Sequence, residues 1–159
     1  NLYLEQLRTF SDLNRYPTDR ILTTAFFALI RPEAYRLVVG TYQLEVKWFP
    51  IGLIPKLIFD HEDILKVGID YLKHKVCHEP IGFNLLPEKF TLLELQTLYE
   101  AILGVQLDKP NFRRKMKKMN LLISCDEKQF GVAHRAAALY RFDKDRYFEL
   151  KNQGFVFEV

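Results

Sequence analysis

Between Lys109 and Lys118, within the stretch LDKPNFRRKMKKMNLL, six of ten side chains are basic. Phe112, Met116 and Met119 run through the same residues at helical spacing and form an apolar stripe. Almost no acid interrupts the run, so the i,i+4 ion pairing that neutralises an ordinary surface helix is missing. A basic run can be a merely solvated face. Here the density of ammonium and guanidinium groups fits phosphates better: those at the edges would hold a duplex backbone and fix its register. Asn111 and Arg114, near the start of the helix, are placed to reach base edges. The expected DNA contacts are Lys109, Asn111, Arg113, Arg114, Lys117 and Lys118, with Lys128, His134 and Arg135 added by the hairpin that follows.

Other chemistry has thinner support. His74, Cys77 and His78 form an H-x2-C-H arrangement, but Cys125 and His61 stand at no recognisable zinc spacing, so no metal site is expected and Cys77 reads as a small buried hydrophobe. Asp60, Glu62 and Asp63 sit where a helix begins, a place that favours acids through the dipole alone. No G-x-S-x-G, P-loop or G-x-G-x-x-G occurs, and no catalytic residue or cofactor is expected in these residues. Two cysteines make no disulfide framework, which points to a reducing, cytoplasmic setting. The longest uncharged run, Ile21 to Ile30, is half a bilayer span at most, so no membrane partner is expected.

Charge is unevenly distributed. Residues 1–58 carry seven basic and five acidic groups (+2), residues 59–107 four and eight (−4), and residues 108–159 twelve and seven (+5). A polyanion would therefore meet the last third.

The elements that must position these groups follow from pattern. Residues 2–10 read as a strand with one wet face, and ILTTAFFALI as a strand buried on both sides. Residues 42–48 alternate Tyr42, Leu44, Val46 and Trp48 against polar neighbours, the pattern of a half-buried strand. The chain opens on strand without a lead-in, and is expected to be a fragment of a longer protein. Asp60 can cap a helix that ends near Cys77. Thr91 and Glu94 form a capping box for a second helix with Leu95, Leu98, Tyr99 and Ile102 inward, stopped by Gly104. After a link of about four residues, Asp108 caps the basic helix and Pro110 occupies its first turn. Leu95, Leu98, Tyr99, Ile102, Phe112 and Met116 are the expected core of this pair. LLIS and AAALYRF then flank a charged, flexible CDEKQFGVAHR. Two helices, a short link, a helix and a hairpin are the order of a winged helix.

These residues also carry a family resemblance. Phe59-Asp60-His61, Phe83-x-Leu85-Leu86-Pro87, Phe90-Thr91-Leu92, Leu95-Gln96, Tyr99-Glu100-Ala101-Ile102, Asp108-Lys109, Asn111 through Lys115 and Ala138 through Phe142 occur in one order over residues 57–142. Together they resemble the linker helix and C-terminal winged helix of Nudix-related bacterial transcriptional regulators, which control NAD metabolism or sugar use. Tyr3 through Leu7, Thr9-Phe10, the ILTTAFFALI strand and Trp48-Phe49-Pro50 resemble the later half of the Nudix domain in the same regulators.

The resemblance implies an α+β chain: part of a Nudix-like α/β/α sheet domain (residues 1–58), a connecting helix (59–79) and a winged helix-turn-helix domain (80–159). It implies double-stranded DNA as partner, a small effector (a nucleotide such as ADP-ribose, or a sugar) and a homodimer at full length. The Nudix hydrolase signature, G-x5-E-x7-R-E-x-x-E-E-x-G, is not among these residues. It would lie upstream of Asn1, and magnesium enters only if it is intact there. The rival reading is a Nudix hydrolase with an accessory winged helix. A third is a module that meets an acidic protein through its basic helix.

Overall fold

The computed structural model describes residues 3–131 and 136–159. They divide into two compact units, one ending at Tyr71 and the other beginning at Leu72.

The first unit holds strands β1 (Tyr3–Phe10) and β2 (Thr23–Leu29), paired antiparallel from Tyr3↔Leu29 to Phe10↔Thr23 with an irregularity between Gln6 and Arg8. Side chains alternate along both strands, as the period of two requires. Phe27 meets Tyr3 and Tyr71, and the Tyr71 hydroxyl donates to Glu5 at 2.8 Å. Two expectations are corrected here. The 21–30 strand is half-buried on one face only, with Phe26 exposed on the other, because among the described residues nothing covers that second face. Residues 42–48 form no strand, and Tyr42 and Leu44 are fully exposed. Alternation creates a strand only where an edge is free to receive it, and among the described residues none does so.

Helix α1 (His61–His78) starts in this unit. Asp60 precedes it as expected, but its carboxylate is taken by Arg15, whose Nε and Nη2 donate at 2.8 and 3.1 Å. The same guanidinium donates to the carbonyls of Phe10 and Ile21 at 3.3 and 3.4 Å, tying the 11–22 loop to the helix start. The hydrogen bonds from Arg15 hold the Asp60 carboxyl below its ordinary value, while the bond to Asp60 raises the pKa of Arg15.

The second unit contains nearly all of the buried apolar core: Val76, Ile81, Phe90, Leu92, Leu95, Tyr99, Phe112, Met116, Leu121, Tyr147 and Phe157. Its elements are the end of α1, a 3-10 turn at Pro80–Leu85, α2 (Leu92–Leu103), α3 (Lys109–Lys118), β3 (Leu122–Lys128), β4 (Ala138–Phe142) and α4 (Lys144–Asn152). Phe90 forms a two-bond bridge with Tyr140 at 2.9 and 2.8 Å, adding a third, one-residue strand to the hairpin. The 3-10 turn is no spacer: Ile81 and Gly82 are buried, and a Cβ on Gly82 would stand 3.3 Å from the Tyr99 ring and 3.4 Å from Val76. α4 is an addition to the expected elements. Asp143 caps it through the Arg146 amide, and the tail beyond it buries Phe157 and returns the Val159 amide to the Cys77 carbonyl at 3.0 Å. Cys77 and Cys125 are both free, and burial pushes the Cys77 thiol up.

Candidate nucleic-acid interface

Local chemistry fixes both ends of the helix pair. Thr91 accepts from the Glu94 amide while Glu94 accepts from the Thr91 amide, so the capping box is complete. Gly104, at φ 73°, ends α2 in the left-handed region, where a side chain would be strained. Asp108 accepts from the Asn111 amide at 3.0 Å, and Pro110 occupies the first turn of α3, where its missing N–H costs nothing.

The turn between them is held by a polar lock. The buried Gln96 amide donates to Glu100 at 2.9 Å and to the Leu107 carbonyl at 3.1 Å, and the Leu107 N–H donates to the same Glu100 oxygen at 2.9 Å. Sequence reasoning misses this triad. A glutamine and a glutamate on a helix read as solvated, and only the return of Leu107 brings them a shared partner. The Leu107 amide first, and Gln96 second, hold the Glu100 carboxyl below its ordinary value of 4.5. A carboxylate with a depressed folded pKa stabilises fully above its unfolded pKa and loses that contribution as pH falls through the folded one. Acidification below pH 4.5 is therefore expected to loosen the turn, and Glu100→Gln to flatten that part of the stability–pH profile. Urea titrations of both proteins between pH 3 and 7 check this, and superimposable profiles would remove Glu100 from the lock.

Packing then decides which face of α3 is outside. Phe112 and Met116 are buried, and Phe112 meets the fully buried Tyr99 ring at 5.6 Å. Lys109, Asn111, Arg114, Lys115, Lys117 and Lys118 are exposed. Lys115 has one acid near, Glu158 at 4.0 Å, an exposed and long contact worth little. Arg114 donates to the Asn111 side chain at 2.6 Å, so the two residues expected at base edges stand joined on the first turns of the helix.

Arg113 departs from the others: it is half-buried, and its Nε is enclosed without a hydrogen-bond partner among the described residues. Its position beside Phe112 turns it partly inward. Leu98 and Ile102, expected in the core, are half-buried, whereas Leu95 and Tyr99 are fully enclosed. The stripe of α2 is centred a little to one side of the expected one.

The hairpin is also longer than its sequence suggests. β3 continues through CDEK to Lys128, with a register slip between Ser124 and Lys128. Asp126 adopts φ 52° inside it, and its amide and carboxylate both bond the Ser124 hydroxyl. A short polar side chain tolerates this left-handed bulge, which conceals the strand from a period-two reading. Lys89 pairs with Glu127 at 2.6 Å, and that hydrogen bond raises the Lys89 pKa. Lys128 lies exposed at the strand's end, where a wing would meet a duplex. His134 and Arg135 lie outside the described residues.

Elsewhere, His74 and His78 stack at 4.3 Å, and His78 Nδ1 bonds the His74 carbonyl at 2.7 Å. No helix among the described residues is long and apolar enough to cross a membrane.

The geometry defines a winged helix with a basic second helix of its helix-turn-helix. Residues 82–142 match the family model of the NrtR DNA-binding winged helix domain. The ADPR responsive transcriptional repressor NtrR of Acinetobacter baylyi is 34% identical over 147 residues, which are 91% of this chain and 58% of that protein. The chain thus spans less than two thirds of that relative's length. The crystal structure of Shewanella oneidensis NrtR matches with a TM-score of 0.70 and 31% identity, over 88% of this chain and 64% of the other. The same protein complexed with a 27mer DNA matches with a TM-score of 0.75 and 29% identity, over 98% and 68%. A MutT/nudix family protein from Enterococcus faecalis, at 24% identity and a TM-score of 0.62 over 87% and 61%, shares the fold. The chain is α+β and is related, over most of its length, to Nudix-related transcriptional regulators, as its motifs imply. The paired glutamates of the Nudix signature, which would hold magnesium, are not among these residues.

Proposed function

We propose that this chain is part of a transcriptional regulator that binds operator DNA through its winged helix, under the control of a small effector in the Nudix-like part. One observation carries this: Arg114, Lys117 and Lys118 are exposed on a helix whose Phe112–Met116 face is locked into the core, with Lys109 exposed at its start. Phosphates would take the lysines, and Arg114 with Asn111 would read a base edge. A related NrtR complexed with DNA, and a relative described as an ADPR responsive repressor, support duplex DNA and a nucleotide effector. Such a regulator works in the cytoplasm. Its DNA binding requires no cofactor, and magnesium would enter only with an intact signature upstream.

Selection of duplexes from a random pool, followed by footprinting, tests the proposal. A reproducible protected sequence is expected, and addition of ADP-ribose to the full-length protein should shift its occupancy. Failure to enrich any sequence would contradict it.

One winged helix buries too little surface for tight specific recognition, and two-fold dimers are the common solution. The full-length protein is therefore expected to be a dimer on a near-palindrome, with half-sites about 34 or 68 Å apart. The 159-residue chain alone, with Phe26, Val38 and Leu44 exposed, should dimerise poorly or aggregate. Light scattering on both lengths checks this. A full-length monomer protecting one half-site would count against it.

A further inference from the structure

The aromatic rings of the second unit are almost all engaged. Phe83 stacks on Phe142 at 4.3 Å, Tyr99 meets Phe112, and Phe90 and Phe157 are buried. Phe130 is the exception. Its side chain is fully exposed, and among the described residues no ring or cation lies against it. The hairpin ladder reaches Gln129, whose amide donates to the Ala137 carbonyl at 2.9 Å, so Phe130 is the first residue beyond that rung. Gly131, at φ 73°, turns the chain immediately after it. A phenylalanine beyond the last rung of the hairpin, with no packing partner among the described residues, adds little to the folding of this unit. It is, however, in position to enter whatever the wing meets.

We propose that Phe130 is an apolar wedge that enters the minor groove beside the α3 contact and inserts between bases at a flexible pyrimidine–purine step. Architectural proteins kink duplexes with exposed apolar side chains of this kind, and such steps unstack most cheaply. The charges around it suit that occupant. Lys128, two residues earlier and exposed, would hold a phosphate beside the wedge. Of the two acids nearest on the stem, Glu127 is paired with Lys89, while Asp126 keeps its charge, four residues before Phe130, with its carboxylate held by the Ser124 hydroxyl. The inference deepens the DNA-binding proposal and rests on it. It adds a shape-dependent contribution to specificity at base pairs that α3 does not touch.

The test uses a duplex that the full-length wild-type protein selects from a random pool, with 2-aminopurine placed in turn at each pyrimidine–purine step and dyes at the ends to report bending. Wild-type binding should raise the fluorescence at one step and shorten the end-to-end distance. Phe130→Ala should abolish both signals and bind about tenfold more weakly, as removal of one wedge side chain would do. Phe130→Leu, still an apolar wedge, should keep most of each. Thermal midpoints of both variants should match the wild type, since the ring is outside the core. An alanine variant equal to the wild type in affinity, fluorescence and bend would overturn the wedge while leaving DNA binding intact. So would an oligomer that Phe130→Ala dissociates without DNA, because the ring would then belong to a protein contact. A full-length wild-type protein that selects no duplex fails earlier, and takes the DNA-binding proposal with it.

Discussion

Arg114→Ala is expected to cost about 1–3 kcal/mol of duplex affinity, concentrated at one base pair, so that the variant tolerates substitutions there that the wild type rejects. Lys117→Ala with Lys118→Ala should behave differently. Affinity should fall for all sequences alike, and the slope of log K against log salt should flatten by about 0.9 for each phosphate left without its cation. The contrast follows from position. Arg114 stands on the first turns beside Asn111, to which it donates at 2.6 Å, whereas the lysines occupy the last turn. All three side chains are exposed, so the circular dichroism spectrum should hardly change. Arg113 is a poorer probe than the sequence suggests, because its half-buried position couples binding to folding. Gel shifts against a panel of single-base variants separate the two effects. An Arg114→Ala protein with unchanged affinity and unchanged base preference would take this helix out of the groove.

Phe112→Ala should destabilise the second unit by about 3–5 kcal/mol. The ring is buried, it meets the Tyr99 ring, and it joins α3 to α2, in the same core as the fully enclosed Leu95 and Met116. The destabilisation combines the forfeited burial of the ring with a cavity that a close-packed core only partly refills. It is a large share of the whole stability of a small domain. Leu98→Ala should cost less, because Leu98 is only half-buried. Denaturant titrations of both variants check the ranking. A Phe112→Ala effect under about 1 kcal/mol would mean that α3 is not held to α2 by this ring.

The helix pair is legible in the sequence because its signals are local. Thr91 with Glu94, Gly104, Asp108 and Pro110 each act within four residues, and each occupies the position its type predicts. Where the pattern misleads, the deciding partners are distant. Tyr42, Leu44, Val46 and Trp48 alternate like a strand, yet no other strand receives them among the described residues. Gln96 and Glu100 become a lock only because Leu107 folds back over them. β3 reads as ending at Ser124 because the left-handed Asp126 interrupts its alternation. α4 does carry a usable local signal, in the Asp143 cap and the Gly154 stop at φ 87°. Of the DNA-binding residues, the exposed members of α3 follow from one stripe, since fixing Phe112 and Met116 inward sets every other side chain. Arg113, at the border of that stripe, is where such reasoning loses resolution.

The central claim is that the basic face of α3, with Lys128 of the wing, holds a duplex by its phosphates. Fluorescence anisotropy of a selected duplex, titrated with the full-length protein at a series of salt concentrations, tests it most directly. Lys109, Arg114, Lys117, Lys118 and Lys128 offer up to five cationic contacts, and about 0.9 per phosphate contact predicts a log–log slope of about −4.5 for each winged helix bound. Saturable binding with that slope would support the account. Absence of saturable binding at low salt, or an affinity indifferent to salt, would contradict it.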